Sequence, residues 1–341
     1  MEKSITVIIP AYNAEGTIER CIRSLLNQNY QNYELLIVDD GSTDETYNIC
    51  KKYAMQNKNI IKVVTKENGG VSSARNYALD LVSTEYLVFV DSDDFVDSGY
   101  LRSFMDAVTL YPNSGHIWCG FKTIDKDSDK VNEHLVSDEE PYSLFDRNEY
   151  MQLYSLWFTQ MPWHRLFITK ILLENGIRFD ESLSLGEDLL FNLHYLDASN
   201  QTSIVIVNSA CYNYVRTEND SLDHKYRSDL LQIYQKLDTT IFKYLKKWNV
   251  DDLSWDKYYN SVFFHYEHIL KNTFHSHNSD SFIAKLKYNN TLLKSDEFKS
   301  VLSKRSCYVH PVYMFSYAHS NYLIIYLWEH LYKAKSKIKK H

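Results

Sequence analysis

Apolar residues fall in short unbroken bursts and then at helical spacing, and the two patterns alternate through the first third of the chain. SITVII (4–9) is a burst that predicts a strand buried on both faces. Residues 15–29 follow, with Ile18, Cys21, Ile22, Leu25 and Leu26 spaced along one helix face. The alternation then repeats. ELLIVDD (34–40) reads as a second strand, DETYNICKKYAMQ (44–56) as a helix capped through Ser42 or Asp44, and IIKVVT (60–65) as a third strand. GGVSSARNYALDLV (69–82) is a Gly-led turn opening a helix, and YLVFVDSDD (86–94) is a fourth strand. Strands rich in β-branched residues and separated by helices predict an α/β fold: a mostly parallel sheet with both faces covered and right-handed crossovers.

Beyond about residue 115 the rhythm changes. IWCGFKTI (117–124) predicts a strand, DKDSDKVNEHLVSDEEP (125–141) a polar, acidic excursion, and 147–175 a helical stretch with a Pro-Trp interruption at 162–163. SIVIVNSACYNYVR (203–216) supplies one more strand or strand-turn. From about 225 the chain turns helical: Tyr226, Leu230, Ile233, Leu237, Ile241, Tyr244 and Trp248 recur near every 3.6 residues, as do Tyr259, Val262, Phe263, Tyr266, Ile269 and Leu270. The expected organisation is a sheet-based domain at 1–220 and a helical C-terminal domain at 221–341. No repeat of 20–50 residues is visible, which excludes solenoids and propellers.

At 341 residues the chain has room for two domains with real cores. Its 37 basic and 44 acidic side chains leave a net charge of −7, so nothing global points to nucleic acid as a partner. Tyr is unusually frequent at 28, against 9 Gly and 5 Pro, a balance suited to wide aromatic packing or ligand surfaces. Cys21, Cys50, Cys119, Cys211 and Cys307 are scattered without C-x-x-C or metal-ligand spacing, as in reduced, cytoplasmic proteins. His265, His268, His275 and His277 have no acid or Cys to complete a metal set and read as surface residues. The opening apolar run stops at Pro10, too short for a signal peptide, and no stretch reaches the ~20 apolar residues that cross a bilayer.

In an open α/β sheet, ligands sit at the carboxyl ends of the strands, and here those ends are markedly polar. Pro10, Ala11, Tyr12 and Asn13 follow strand one, Asp39 to Ser42 strand two, Lys66 to Gly70 strand three, and Asp91, Ser92, Asp93 and Asp94 strand four. Three aspartates within four residues repel one another unless a cation neutralises them. Mg²⁺ or Mn²⁺ suits such hard oxygens and completes its shell with water and phosphate, which points to a diphosphate ligand; an Asp-rich turn with an N-cap is the plain alternative. Asp40 is suited to accept from a pyrimidine imide N–H and Tyr12 to stack on the ring, although Asp40-Gly41-Ser42 is equally a good turn and Tyr12 a packing residue. Arg75 lies in the first turns of a helix, where it reaches either a phosphate or solvent. Neither G-x-G-x-x-G after strand one nor G-x-x-x-x-G-K-[ST] occurs, so dinucleotide and P-loop readings fail.

VIIPAYNAEGTIERCIRSLLNQ, ELLIVDDGSTDET, NGGVSSARNYAL and YLVFVDSDD, in that order over about 95 residues, strongly resemble the family 2 glycosyltransferases, which have the Rossmann-like GT-A fold. The resemblance implies an inverting, nucleotide-sugar-dependent transferase. It places Tyr12 and Asp40 at the base, Asp91 at the ribose, and Asp93, with Asp91, on a Mn²⁺ or Mg²⁺ ion at the diphosphate, with Pro10, Ala11 and Ser92 also in the nucleotide-sugar site. Asp94 is a further candidate ligand, Asp39 a support for the strand end, and Arg75 a grip on base or diphosphate. SLGEDLLF (184–191) matches the family's late acidic pair, with Asp188 the catalytic base and Glu187 the second candidate; a helix cap is the structural alternative. MPWHRLF (161–167) resembles the acceptor side, where Trp163 would be a sugar platform or simply core. CYNYVRTENDSL (211–222) resembles a late segment whose Arg216 would close over the diphosphate. Tyr12 with Asp40 suits uracil, hence a UDP-sugar donor, and the family expectation is a hexosyl or N-acetylhexosaminyl transfer to a glycan or lipid-linked acceptor in bacterial envelope or polysaccharide synthesis.

Two other function classes compete. A nucleotidyltransferase making nucleotide sugars would want a Gly-rich, basic loop after strand one, which PAYNAEGTIER lacks. A non-catalytic sugar-binding protein would tolerate loss of carboxylates, yet Asp91, Asp93 and Asp188 are all present. Residues 322–341 combine an aromatic, apolar run (YLIIYLWEHLY) with five lysines in KAKSKIKKH, as an interfacial helix on the cytoplasmic membrane face would. The alternative is a helix packed on the second domain with a solvated tail.

Overall fold

The computed structural model describes residues 4–216 and 226–338, the last six of these by backbone alone. The chain divides into two compact units, residues 1–224 with 243–249, and residues 225–242 with 250–341. The expected boundary near 220 lies in residues 217–225, outside the described part.

In the first unit, β1 (Ile5–Ala11), β2 (Tyr33–Asp39), β3 (Ile61–Thr65) and β4 (Tyr86–Phe89) alternate with α1 (Ile18–Leu26), α2 (Thr46–Gln56) and α3 (Val71–Leu79). These four strands are mutually parallel in the order β3-β2-β1-β4, and β1 is buried along its whole length, as a central strand covered on both faces must be. After β5 (Phe95–Val96) and α4 (Tyr100–Leu110) come β6 (His116–Asp125), β7 (Val131–His134), β8 (Tyr142–Asp146), α5 (Tyr150–Ser155), β9 (Arg165–Ile168), α6 (Thr169–Glu174), α7 (Glu187–Ala198) and β10 (Ser203–Arg216). The sheet reaches ten strands by running on through β9, β6, β10 and β5, with β7 beside β6 and β8 beside β10.

Residues 147–175 are helical at their two ends, in α5 and α6, but the interruption is wider than the spacing predicts and contains a strand. The segment past Pro162 enters the sheet as β9, antiparallel to β4 and β6, with Phe167 opposite Leu87 and Leu166 opposite Ile117. α5 ends at Ser155, and Trp157 at φ +67° turns the chain out of the helix before Pro162 is reached; Leu166 and Phe167 then gain more by filling a slot in a ready-made sheet than by one helix face. The polar excursion after β6 folds back as the β7 hairpin, and β10 is one strand whose register slips between Val207 and Tyr212.

Behind the parallel strands, Phe89 stands edge-on to Phe167, Phe179 and Phe191, while Phe179 and Phe191 stack with centroids 3.9 Å apart. This aromatic cluster joins β4, β9 and α7, so the helix that carries Glu187 and Asp188 is seated on the strand that precedes Asp91. All five cysteines are free, and four of them are buried.

The second unit is helical: α8 (Leu230–Trp248), whose last turns group with the first unit, α9 (Asp252–Asn272), α10 (Phe282–Lys294), α11 (Asp296–Lys304), α12 (Pro311–Ala318) and α13 (Tyr322–Ile338). Two of its histidines depart from the surface reading. His265 is half-buried, its Nδ1 donating to the Asp238 carboxylate at 2.8 Å, with the Tyr234 ring stacked on it at 4.0 Å; His268 meets the Tyr234 hydroxyl. Asp238 supplies a partner from a different helix, which spacing along α9 alone does not reveal. No helix among the described residues is long and apolar enough to cross a membrane.

Truncating the cluster tests its weight. Phe191→Ala removes a fully buried ring stacked on a second one, and the expected loss is about 3–5 kcal/mol. A urea titration would register it as a lower midpoint at unchanged slope.

Candidate active site

The carboxyl ends of β1, β2 and β4, the start of α3, the start of α7 and the end of β10 enclose a cavity of about 720 Å³. Pro10, Ala11 and Tyr12 line it beyond β1, and the Tyr12 ring is half exposed and open to a partner. Asp91, Ser92 and Asp93 line it beyond β4, and Glu187 and Asp188 from α7. Arg216 and Tyr214 close it from β10. Asn68, Lys126 and Tyr214 were not singled out from sequence. Asn68 stood among the strand-three end residues, while Lys126 lay in a segment with no periodic signal.

Asp40 also lines the cavity, but its carboxylate is heavily engaged. It accepts from Lys66 Nζ at 2.8 Å and from the backbone N–H groups of Gly69 and Gly70, the latter at 2.7 Å. Gly70 has φ +87°, a left-handed value that only glycine takes without strain, and it opens α3. Asp40 therefore fixes the turn from which α3 projects Arg75. Asp39 accepts from the Thr65 hydroxyl and steadies the ends of β2 and β3.

Arg75 lines the cavity from α3 and is not the solvated side chain that its position allows. It is 2% exposed, donates to Asp188 Oδ1 at 2.6 Å and to Asp91 Oδ1 at 2.8 Å, and lies over the Phe179 ring at 5.1 Å. Burial works against its charge, but Asp188 and Asp91 outweigh that and raise its pKa. Asp188 is moved in the other sense. Burial and the neighbouring Glu187 and Asp91 charges exceed the pull of Arg75 and push its carboxyl up to about 7. A proton acceptor tuned close to neutrality is what general-base chemistry needs. Glu187 and Asp188 occupy the first turn of α7, set by Gly186 at φ +83°, and Glu187 Oε2 is buried without a hydrogen-bond partner among the described residues.

Burial and Asp91 raise the Asp93 carboxyl, which lines the cavity and is held only in part, by its own backbone N–H, while Arg20 donates to its backbone carbonyl. Asp93, with the Asp91 oxygen that Arg75 does not hold, presents hard oxygens to the cavity, which fits a divalent cation that completes its shell with phosphate and water. No group of three or more His, Cys, Asp or Glu side chains among the described residues could cage a metal unaided.

Two expected positions lie elsewhere. Trp163 is 2% exposed and stacks on Tyr212 with centroids 4.1 Å apart, so neither ring face is free for an acceptor sugar. Asp94 is fully buried and turned away from the cavity, accepting from the Tyr212 hydroxyl at 2.6 Å and the Val215 N–H at 2.8 Å.

The family model described as "Glycosyl transferase family 2" matches residues 6–174, which contain the four strand-end motifs. The chain belongs to glycosyl transferase family 2. Among curated relatives in the family, "Glycosyltransferase GlyA" of Streptococcus pneumoniae is 30% identical over 223 residues, covering 63% of this chain and 31% of the relative. "Minor teichoic acid biosynthesis protein GgaB" of Bacillus subtilis is 33% identical over 224 residues, 63% of this chain and 23% of that protein. The chain thus spans a third or less of the length of these two relatives. A crystal structure of Staphylococcus aureus TarS 1-349 in complex with UDP is similar at a TM-score of 0.63, with 24% identity, 88% of this chain and 81% of that chain covered. The likeness places this member of family 2 in the GT-A fold.

Removing the bridging cation strands two carboxylates. Arg75→Met is expected to destabilise the first unit by about 3 kcal/mol or more, and Arg75→Lys by less, since an ammonium meets one carboxylate well but not both. Chemical denaturation of the two variants checks the order.

Proposed function

We propose that this chain is an inverting, metal-dependent glycosyltransferase that moves a hexosyl or N-acetylhexosaminyl group from a UDP-sugar to a glycan or lipid-linked acceptor of the bacterial cell envelope. The observation that carries the reading is the convergence, in one cavity, of an open aromatic ring, two cation-seeking carboxylates and a carboxylate tuned near neutrality. Tyr12 stacks on uracil, and Asp91 meets the ribose. A Mn²⁺ or Mg²⁺ ion held by Asp91 and Asp93 would offset the charge of the departing diphosphate. Asp188 takes the proton of the acceptor hydroxyl while that oxygen bonds to the anomeric carbon, the bond to the diphosphate breaks, and UDP leaves. Glu187 keeps the Asp188 proton affinity high, and Arg75 holds the carboxylate in line. Arg216, beside Tyr214, faces the diphosphate side.

Several likenesses support this reading. TarS has been crystallised with UDP and with UDP-GlcNAc, and a Pyrobaculum calidifontis mannosyltransferase of related fold with GDP-Man and Mn²⁺. GgaB is named for teichoic acid biosynthesis, and a further relative from Bacillus spizizenii is a poly(ribitol-phosphate) beta-glucosyltransferase, 29% identical over 225 residues. Peripheral contact with the inner membrane face through 322–341 fits the exposed Leu327, Trp328, Leu331 and Tyr332 of α13 and the lysines that follow in sequence. Binding to anionic vesicles that fails at ~1 M salt would bear that contact out, and equal recovery with neutral vesicles would refute it.

The central test is binding and turnover of a panel of nucleotide sugars with Mn²⁺, Mg²⁺ or chelator. A UDP-sugar is expected to bind best with metal, Asp93→Ala to lose that dependence, and Asp188→Asn to bind donor but turn over ~10²–10⁴-fold more slowly. Failure of every nucleotide sugar to bind, or full turnover by Asp188→Asn, overturns the reading. The base must be ionised, so kcat/KM is expected to fall as pH drops through about 7, where Asp188 takes up its proton amid Arg75, Glu187 and Asp91. A pH–rate profile without that acid limb would assign the base elsewhere.

A further inference from the structure

The loop Asp91–Asp94 ends on an aspartate that sequence spacing makes a natural metal ligand, yet its carboxylate is fully buried and both of its oxygens are taken by β10. One oxygen accepts from the Tyr212 hydroxyl, the other from the Val215 N–H. The same Tyr212 oxygen accepts the backbone N–H of Asp91 at 3.2 Å. A single hydroxyl therefore ties the first and last residues of the acidic loop to one strand. The Tyr212 ring cannot drift, because Trp163 stacks on it and Trp163 is itself held through its carbonyl by the Tyr100 hydroxyl. Beyond Tyr212, β10 delivers Tyr214 and Arg216 to the cavity wall.

We infer that Asp94 and Tyr212 are a positioning pair: together they set the Asp91 and Asp93 carboxylates against the β10 wall, and Asp94 itself touches neither donor nor cation. The inference rests on the nucleotide-sugar reading of this cavity. It assigns Asp94 to a role different from that of its neighbours and gives Tyr212 a part in donor binding although its side chain lies behind the site. A paired, desolvated carboxylate and phenol act as one unit, so deleting either member costs what deleting both costs.

Tyr212→Phe keeps the ring and its stack on Trp163 and removes only the oxygen. In the unliganded protein, hydrogen exchange is expected to quicken about tenfold in peptides containing Asp91–Asp94 and Tyr214–Arg216, with thermal melting moved by no more than a few degrees. UDP affinity in the presence of Mn²⁺, read by calorimetry, is expected to fall about tenfold in Tyr212→Phe, in Asp94→Asn and in the double variant alike. Unchanged exchange or unchanged UDP affinity in Tyr212→Phe overturns the pair. So does an Asp94→Asn variant that loses Mn²⁺ dependence, as is expected of Asp93→Ala, while Tyr212→Phe retains it, because Asp94 would then be a ligand. Should Asp94→Asn fail to fold, Tyr212→Phe alone decides. Unmodified protein that binds no UDP with or without Mn²⁺ fails the donor reading itself, a result separable from a variant-specific one.

Discussion

A buried guanidinium between carboxylates is the constraint on which the site depends. Asp91, Asp93, Glu187 and Asp188 line one cavity, and charges of one sign that close together are tolerated only around a compensating cation. Arg75 supplies it from below. Its planar fork reaches Asp91 and Asp188 at once, which an ammonium cannot do, and its flat face rests near Phe179 and Phe89. The same aromatic cluster that seats α7 on β4 therefore seats the cation as well. Packing and electrostatics are satisfied by one arrangement, and neither can shift without the other.

Much of this was legible in the chain. The bursts at β1 to β4 are long, β-branched and punctuated by Gly, Asp and Asn, so strands, helices and the polar edge followed from periodicity. The strand-end rule then placed Tyr12, Asp40, Asp91, Asp93 and, with the family resemblance, Glu187 and Asp188 where the structure gathers them. Four-residue β9 was not legible, because a short apolar run carries no period of its own and becomes a strand only when β4 and β6 offer a slot.

Side-chain direction was the other limit. Residue type and position give the same reading for an aspartate that faces the cavity and one that faces the core, and Asp93 and Asp94 differ in only that respect. Trp163 likewise belongs to the wall by sequence and to the interior by contact, since its ring is claimed by Tyr212, some fifty residues further on. Arg75 was visible as a cation near the site, but its two partners lie on different elements, and the sum of their pull was not.

The ion pair from Arg75 to Asp188 joins residues 113 apart in sequence. A chain made from its N-terminus completes β1 to β4 and α3, with Asp91 already within reach of Arg75, well before Asp188 leaves the ribosome. The strand-end half of the cavity thus takes shape around a cation that still lacks its second counter-charge. Docking of α7 delivers that charge, and β10, later still in the chain, closes the cavity wall, so the site is a product of long-range closure rather than of any local segment.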